Sequence, residues 1–322
     1  MGNSAMGETL GNGALAGFFD SCGVVLFDSA MGTALISAGL PPGTDSAEMN
    51  ALAPDVVRGV HLDNIRAGCD VITTNTFGVT GILLRGGDEG AALALEAGVR
   101  LAREAAAAGQ RINVGAGGGT DGGRVLVALG IGPAGSIVGP LGDISYESAT
   151  KAYALQAGAG AREGADFMLF ETFADLDELM CAARAARAVC DLPIIATMTF
   201  DAGGHTYMGV TPADFAQAVM AENAVSCGAE PLFFAIGANC ALTPDEMPPI
   251  IDALTENARG ALRIIAQPNN ADSPDAFLPG IETLLGLGVS AVGGCCGTTP
   301  EMIAEVRAII DSGQTERKEP RL

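Results

Sequence analysis

The sequence predicts a single-domain α/β protein folded as an eight-stranded (β/α)8 barrel, on three observations. Eight short apolar runs, each followed by a helix-compatible segment, occupy about 290 of the 322 residues, close to the typical barrel size of about 250 residues. A small punctuation mark recurs: Gly68-Cys69-Asp70, Gly164-Ala165-Asp166, Gly228-Ala229-Glu230 and Gly288-Val289-Ser290 each set a glycine at a helix end, directly before an apolar run. Helix caps that feed short apolar strands describe parallel strands covered by helices. Finally, 45 glycines, 5% aromatics and no tryptophan require an aliphatic core between closely approaching elements. An open doubly wound sheet is the alternative built from the same units.

Residues 1–18 are polar and Gly-rich and read as a flexible N-terminal arm, the barrel as 19–312, and residues 313–322 as a charged C-terminal tail. The first strand, Val24 to Phe27, ends at Asp28. A helix opened by Pro54 and closed by Gly68 follows, as Pro at a first turn and Gly past a last turn do. Asp70–Thr74 is the second strand, ending at Asn75, and an Ala-rich helix covers about Asp88 to Ala108. The third strand is Arg124 to Leu129, after a Gly-rich stretch (109–123) that looks like an insertion. A helix from Ile144 to Arg162 precedes the strand Asp166–Phe170, which ends at Glu171. The remaining strands are Pro193–Met198, Pro231–Ile236, Leu262–Ala266 and Val289–Gly293. Their helices cover Asp175–Val189, Thr211–Cys227, a segment opened by Thr243-Pro244, Pro274–Leu287, and a last one opened by Thr299-Pro300.

The formal net charge of −21, from 38 acidic and 17 basic residues, repels phosphate backbones and anionic membranes, so neither nucleic acid nor a membrane is an expected partner. One of the two longest uncharged runs, Val125 to Gly142, holds five glycines and two prolines, unsuited to a membrane helix. No positively charged, apolar-cored leader opens the chain, and a cytoplasmic protein is expected. Eight cysteines in this length do not describe a disulfide scaffold. Cys22, Cys69, Cys181, Cys190 and Cys227 read as small buried hydrophobes.

Barrel active sites form at the C-terminal ends of the strands. Asp28 ends the first strand, Asn75 the second, Glu171 the fourth, Cys240 the sixth, Asn269 the seventh and Cys295-Cys296 the eighth. Cys240 can therefore face the vicinal pair across strand seven. Three thiolates there leave one tetrahedral position open on a zinc ion, the pattern of a catalytic site. From spacing alone, the adjacent cysteines also fit a vicinal disulfide or two unrelated thiols. Asp28 and Glu171 also fit carboxylates that stabilise helix N-termini. Gly115 to Gly123 satisfies G-x-G-x-x-G, but a strand follows instead of a helix, so it reads as a loop. His61 and His205 are the only histidines, one inside a helix and one in a turn, which argues against histidine-centred acid–base chemistry.

The motifs Phe27-Asp28-Ser29-Ala30-Met31-Gly32-Thr33, Thr74-Asn75-Thr76-Phe77, Gly132-Pro133, Phe170-Glu171-Thr172, Gly237-Ala238-Asn239-Cys240, Pro268-Asn269 and Gly293-Gly294-Cys295-Cys296-Gly297 resemble the zinc-dependent homocysteine S-methyltransferase family. The likeness runs over about residues 20–310. The segment from Thr199 to Gly209, with Thr73 to Phe77, is most similar to the homocysteine module of cobalamin-dependent methionine synthase. Ser29 stands where a glycine is usual, and Asn270-Ala271 replaces a small residue followed by glycine. The resemblance implies a (β/α)8 barrel with Zn2+ on Cys240, Cys295 and Cys296, and a methyl group transferred to the thiolate of homocysteine to give methionine. It implies Asp28 and Glu171 as partners of the substrate ammonium, with Asn75 and Asn269 as further substrate-binding candidates. The implied donor is a methylcorrinoid, either methylcobalamin or a separate corrinoid protein served by methylfolate, since no D-x-H-x-x-G cobalamin motif is present. S-methylmethionine and betaine are the alternative donors. A non-catalytic zinc-binding barrel is the alternative of another class, and it leaves Asp28 and Glu171 without a purpose.

Overall fold

The computed structural model describes residues 10–41, 44–84, 88–113, 124–140, 142–225, 230–270 and 274–318. The chain opens with α1 (Asn12–Cys22), β1 (Val25–Leu26), α2 (Met31–Ser37), a 3-10 turn (Ser46–Glu48), α3 (Met49–Leu52) and α4 (Pro54–Arg66). It continues through β2 (Val71–Thr73), α5 (Val79–Leu84), α6 (Asp88–Asn113), β3 (Leu126–Ile131), α7 (Tyr146–Arg162), β4 (Phe167–Phe173) and α8 (Leu176–Arg187). The last third is β5 (Ile194–Met198), α9 (Pro212–Val225), β6 (Phe233–Asn239), α10 (Pro248–Ala258), β7 (Arg263–Gln267), α11 (Pro274–Gly286), β8 (Ala291–Val292) and α12 (Pro300–Lys318).

The strands are parallel, in the order β1-β8-β7-β6-β5-β4-β3-β2, and the fold is the (β/α)8 barrel the sequence predicts. The ring meets itself between β1 and β2 through one bridge, Phe27 to Val71, and a 2.7 Å bond from Asp70 N to Leu26 O. The Asp70 carboxylate completes this seam. It accepts from Leu26 N at 2.8 Å and is held by Arg307 of α12 at 3.1 Å. Asp166 acts alike, accepting from Val127 N at 2.8 Å while Arg103 and Arg124 pair with it at 2.8 and 3.0 Å. The recurring Gly-x-Asp thus does two jobs. Gly68 and Gly164 turn the chain at φ 94° and 89°, a region glycine enters without steric cost, and the aspartate then caps a neighbouring strand.

Side chains alternate across each strand. Val25, Phe27, Val71, Leu126, Ala128, Phe167, Leu169, Ile195, Ala235, Ile265 and Ala291 fill the barrel lumen and are fully buried. Two residues further along the same alternation come Thr73, Gly130, Glu171, Thr197, Gln267 and Gly293, with Asn239 four beyond Ala235. A polar layer therefore lies on the apolar plug, at the C-terminal mouth. The outer faces of the strands pack against the helix ring through a second cluster of mainly aliphatic and alanine side chains.

The structure corrects the sequence reading in several places. Residues 12–18, assigned to the N-terminal arm, belong to α1, whose Leu15, Phe18 and Phe19 seal the lower end of the lumen. Phe19 meets Phe234 edge-on at 5.2 Å, and Arg263 lies 4.9 Å from the Phe234 ring centre while pairing with Asp20 at 2.8 Å. Each of the three buried side chains contributes roughly 1.5–3 kcal/mol. Gly11 caps this helix without a side-chain bond, so no start signal marks it. Residues 1–9 lie outside the described residues.

The helix expected at Thr243-Pro244 begins instead at Pro248. Pro248 and Pro249 have no N–H to return to the preceding turn, so a helix cannot run through them. Helix α6 reaches Asn113, inside the stretch read as an insertion; residues 114–123, including the whole of the G-x-G-x-x-G pattern, lie outside the described residues. Helix α12 runs to Lys318, past the assigned boundary at 312, through Gln, Glu, Arg and Lys of good helix propensity. Unannounced short helices α2, α3 and α5 fill the first two βα connections. Among the described residues no helix is long and apolar enough to cross a membrane.

Candidate active site

Cys240 follows β6 directly, and Cys295 and Cys296 lie on the turn after β8. All three are free thiols whose sulfurs lie within 4.8 Å of one another, with Cys240 and Cys296 at 3.8 Å. Zn–S bonds of about 2.3 Å in tetrahedral geometry set sulfurs about 3.8 Å apart, so the donor set and its spacing fit zinc. The Cys240 thiol is held well below its ordinary range by hydrogen bonds from Cys295 and then Cys296. Cys295 and Cys296 are pushed up, chiefly by donating to Cys240. A divalent cation overrides this sharing, because coordination deprotonates a thiol outright.

The backbone presents these sulfurs by leaving the strands abruptly. Cys240 and Ala241 adopt φ of 62° and 55°, a left-handed conformation costing roughly 1–2 kcal/mol per residue, and Leu242 N bonds back to Cys240 O. The β8 turn is pinned from three sides. Cys295 N donates to Pro268 O at 2.8 Å, Gly297 N to Thr33 Oγ1 at 3.0 Å, and Thr298 Oγ1 to Cys295 O at 2.7 Å. Gly294 is required here, since a Cβ would strike the Thr298 side chain.

A cavity of about 350 Å³ is lined by the three thiols together with Asp28 and Glu171, and among the described residues no Lys, Arg or His lines it. Asp28 is 4% exposed and is oriented by Thr73, whose N donates at 2.7 Å and whose hydroxyl donates at 3.0 Å. Burial nevertheless raises its carboxyl to about 7. Glu171 is raised to about 8, first by burial and then by the charges of Asp28 and Cys240. Gly130 makes room for it, because a Cβ there would lie 3.0 Å from Glu171 Oε1. Glu171 sits within β4, not after it, because the strand resumes pairing at Phe173 beyond a register shift. Neither carboxylate caps a helix.

Asn75 lines the same cavity, but both its amide protons are committed, to Ser46 O at 2.7 Å and Asn50 Oδ1 at 2.9 Å. Its structural work is to tie the segment before α3 to the end of β2. Asn269 donates to Cys240, which helps lower that thiol, and its buried Oδ1 has no partner among the described residues. His61 is fully buried in α4, where burial lowers it to about 4, and His205 lies in a turn with its N bonded to Asp201.

Sequence reasoning left Asn239 and the threonines unassigned. Asn239 Oδ1 accepts from Thr172 N at 2.8 Å and Thr197 Oγ1 at 2.7 Å; its Nδ2 donates to Thr172 Oγ1 at 2.7 Å and lies 3.8 Å from Cys295 Sγ. It fixes the left-handed Thr172, at φ 65°, beside Glu171 and reaches the thiol cluster with the same amide. The inward alternation Ala235, Gly237, Asn239 was the available signal.

The family model for homocysteine S-methyltransferases matches residues 25–310. Methionine synthases from Mycobacterium tuberculosis and Mycobacterium leprae are 31% and 30% identical over 89% of this chain. The chain spans about a quarter of their length, 24% in each case. The homocysteine methyltransferase MmuM from Escherichia coli has a similar structure. Its metallated form aligns with TM-score 0.71 and 24% identity over 92% of this chain and 99% of that one. Its apo form gives 0.68 and 26% over 91% and 98%. The matched span begins at β1, ends in α12 and includes all three clustered thiols and both pocket carboxylates, and the chain belongs to the homocysteine S-methyltransferase family.

Proposed function

We propose that this pocket binds homocysteine and that the chain transfers a methyl group to its thiolate, yielding methionine, with Zn2+ held by Cys240, Cys295 and Cys296. One observation carries the reading: three mutually close thiols share with the buried Asp28 and the half-buried Glu171 a cavity that, among the described residues, no cationic side chain lines. Such a pocket favours a metal at one end and an ammonium at the other. When bound, Zn2+ supplies the Lewis acidity that keeps a coordinating substrate thiol ionised at neutral pH. Asp28 and Glu171 take the α-ammonium, and Thr73 fixes the Asp28 carboxylate toward it. The first turn of α2, Met31 to Thr33, lines the cavity and offers backbone N–H groups to the α-carboxylate, while the Ala30 N–H is held by Thr298 Oγ1. Asn239 and Asn269 hold two of the cysteines in place through their amides.

Likeness to the methionine synthases supports a methylcorrinoid donor, free or protein-bound. A donor panel tests both function and donor. Zinc-loaded protein is given homocysteine with methylcobalamin, S-methylmethionine or betaine, and methionine is measured. Methionine is expected with methylcobalamin; formation only with a sulfonium or betaine would replace that donor. If no donor yields methionine and homocysteine leaves the absorption of cobalt-substituted protein unchanged, a non-catalytic zinc barrel is the better description.

The raised carboxyls set a pH dependence. Below about 7 both hold protons in the free pocket, and pairing with an ammonium requires their release. Homocysteine affinity is therefore expected to strengthen as pH rises through about 7 and 8, with protons released on binding. Calorimetry at pH about 6.5 in two buffers of different ionisation enthalpy should show greater proton release for wild type than for Asp28→Asn. Equal release would remove Asp28 from ammonium binding.

A further inference from the structure

We infer that Gln267 is a third recognition residue of the homocysteine pocket, its carboxamide oxygen accepting the N–H of the α-ammonium that Asp28 and Glu171 leave over. The inference rests on the homocysteine reading above. Gln267 ends β7, beside Asn239 in the β6–β7 register, and lines the cavity shared by the thiols and both carboxylates. Its side chain lies over Gly293, where a Cβ would come within 3.4 Å of Gln267 Cγ and Nε2 and would also strike Phe27, the residue before Asp28. Gln267 is 5% exposed, and its Oε1 is buried without a hydrogen-bond partner among the described residues; a half-turn of the carboxamide, which interchanges its oxygen and nitrogen, presents this acceptor to the cavity.

The neighbouring amide does not complete it. Asn239 already bonds Thr172 and Thr197 through its oxygen and Thr172 through its nitrogen. A buried acceptor left unpaired costs free energy that a donor entering the pocket recovers. At neutral pH, homocysteine with its thiol ionised has no N–H or O–H donor except its ammonium, which presents three. Two carboxylates and one carbonyl oxygen match that number. A neutral third acceptor also suits a cavity already lined by two acidic side chains and three cysteines, where a further anion would be repelled.

The test pairs a residue change with a ligand change. Binding of homocysteine and of its amine-free analogue 4-sulfanylbutanoate to the zinc-loaded chain is measured by calorimetry, for wild type and Gln267→Met. Methionine keeps the length and removes the acceptor. Homocysteine affinity is expected to fall about 10- to 100-fold, as for loss of a hydrogen bond to a charged group, with KM rising and kcat little changed. Affinity for 4-sulfanylbutanoate should stay within about threefold. Equal weakening of both ligands, or no weakening of homocysteine, overturns the assignment. If Gln267→Met does not fold, Gln267→Glu is measured instead. It keeps an acceptor oxygen, so homocysteine affinity within about fivefold of wild type agrees with the proposal, and parallel loss of both ligands rejects it. Wild-type protein that binds no homocysteine would instead sink the functional reading itself.

Discussion

Cys295→Ser is expected to abolish retention of stoichiometric zinc, weakening the metal by more than about 100-fold and stopping methionine formation. Loss of a group that merely orients a ligand costs 10–100-fold, and loss of the ligand itself exceeds that. A serine hydroxyl stays protonated at neutral pH and does not replace a thiolate. The substitution should spare the fold, because the turn is held by main-chain bonds from Cys295 N and to Cys295 O that serine keeps. Metal content after dialysis against a chelator, with a thermal melt as control, checks this. One equivalent of zinc retained at wild-type affinity would show that the cluster is not the metal site.

Glu171→Gln is expected to raise the KM for homocysteine about 100-fold, near the upper end for a lost charged hydrogen bond. It should also stabilise the ligand-free protein above pH about 8, and the two effects have one cause. Glu171 is lifted from the ordinary carboxyl range to about 8 by burial and by the charges of Asp28 and Cys240, so the folded state binds its proton more tightly than the unfolded chain does. That stability is present at low pH and is lost as pH rises through about 8. Glutamine removes the repulsion and, with it, the ammonium partner. Thermal melts of the ligand-free protein at pH about 6 and about 9, beside steady-state kinetics, give both readouts. Unchanged KM with unchanged pH dependence of stability would take Glu171 out of the pocket.

Much of this was legible in the sequence because period and punctuation survive without tertiary information. Each barrel strand is a short apolar run, and Gly-x-Asp marks entry to β2 and β4 with a glycine whose conformation demands it. The reactive residues were legible because they sit where those runs stop. Burial-dependent features were hidden. Leu15, Phe18 and Phe19 carry a helical spacing, but no cap announces it and their partner is a lumen assembled from distant strands. Asn75 looked free at a strand end, yet its amide is engaged by Asn50 and Ser46, elements no local pattern places beside it. Asn239 was concealed by its neighbour: Cys240 drew attention to the metal, while the amide one residue earlier joins Thr172, Thr197 and the cluster.

The seam between β1 and β2 has a consequence for biosynthesis. Leu26 N finds its acceptor in Asp70, and Asp70 is neutralised by Arg307, which α12 alone supplies. Asp28, two residues beyond Leu26, thus follows a strand tied through Asp70 to a helix that, among the described residues, lends no wall to the cavity. As the chain leaves the ribosome, the described residues that line the cavity are all translated before Arg307, so the ion pair that completes this seam is the last of these contacts to become available.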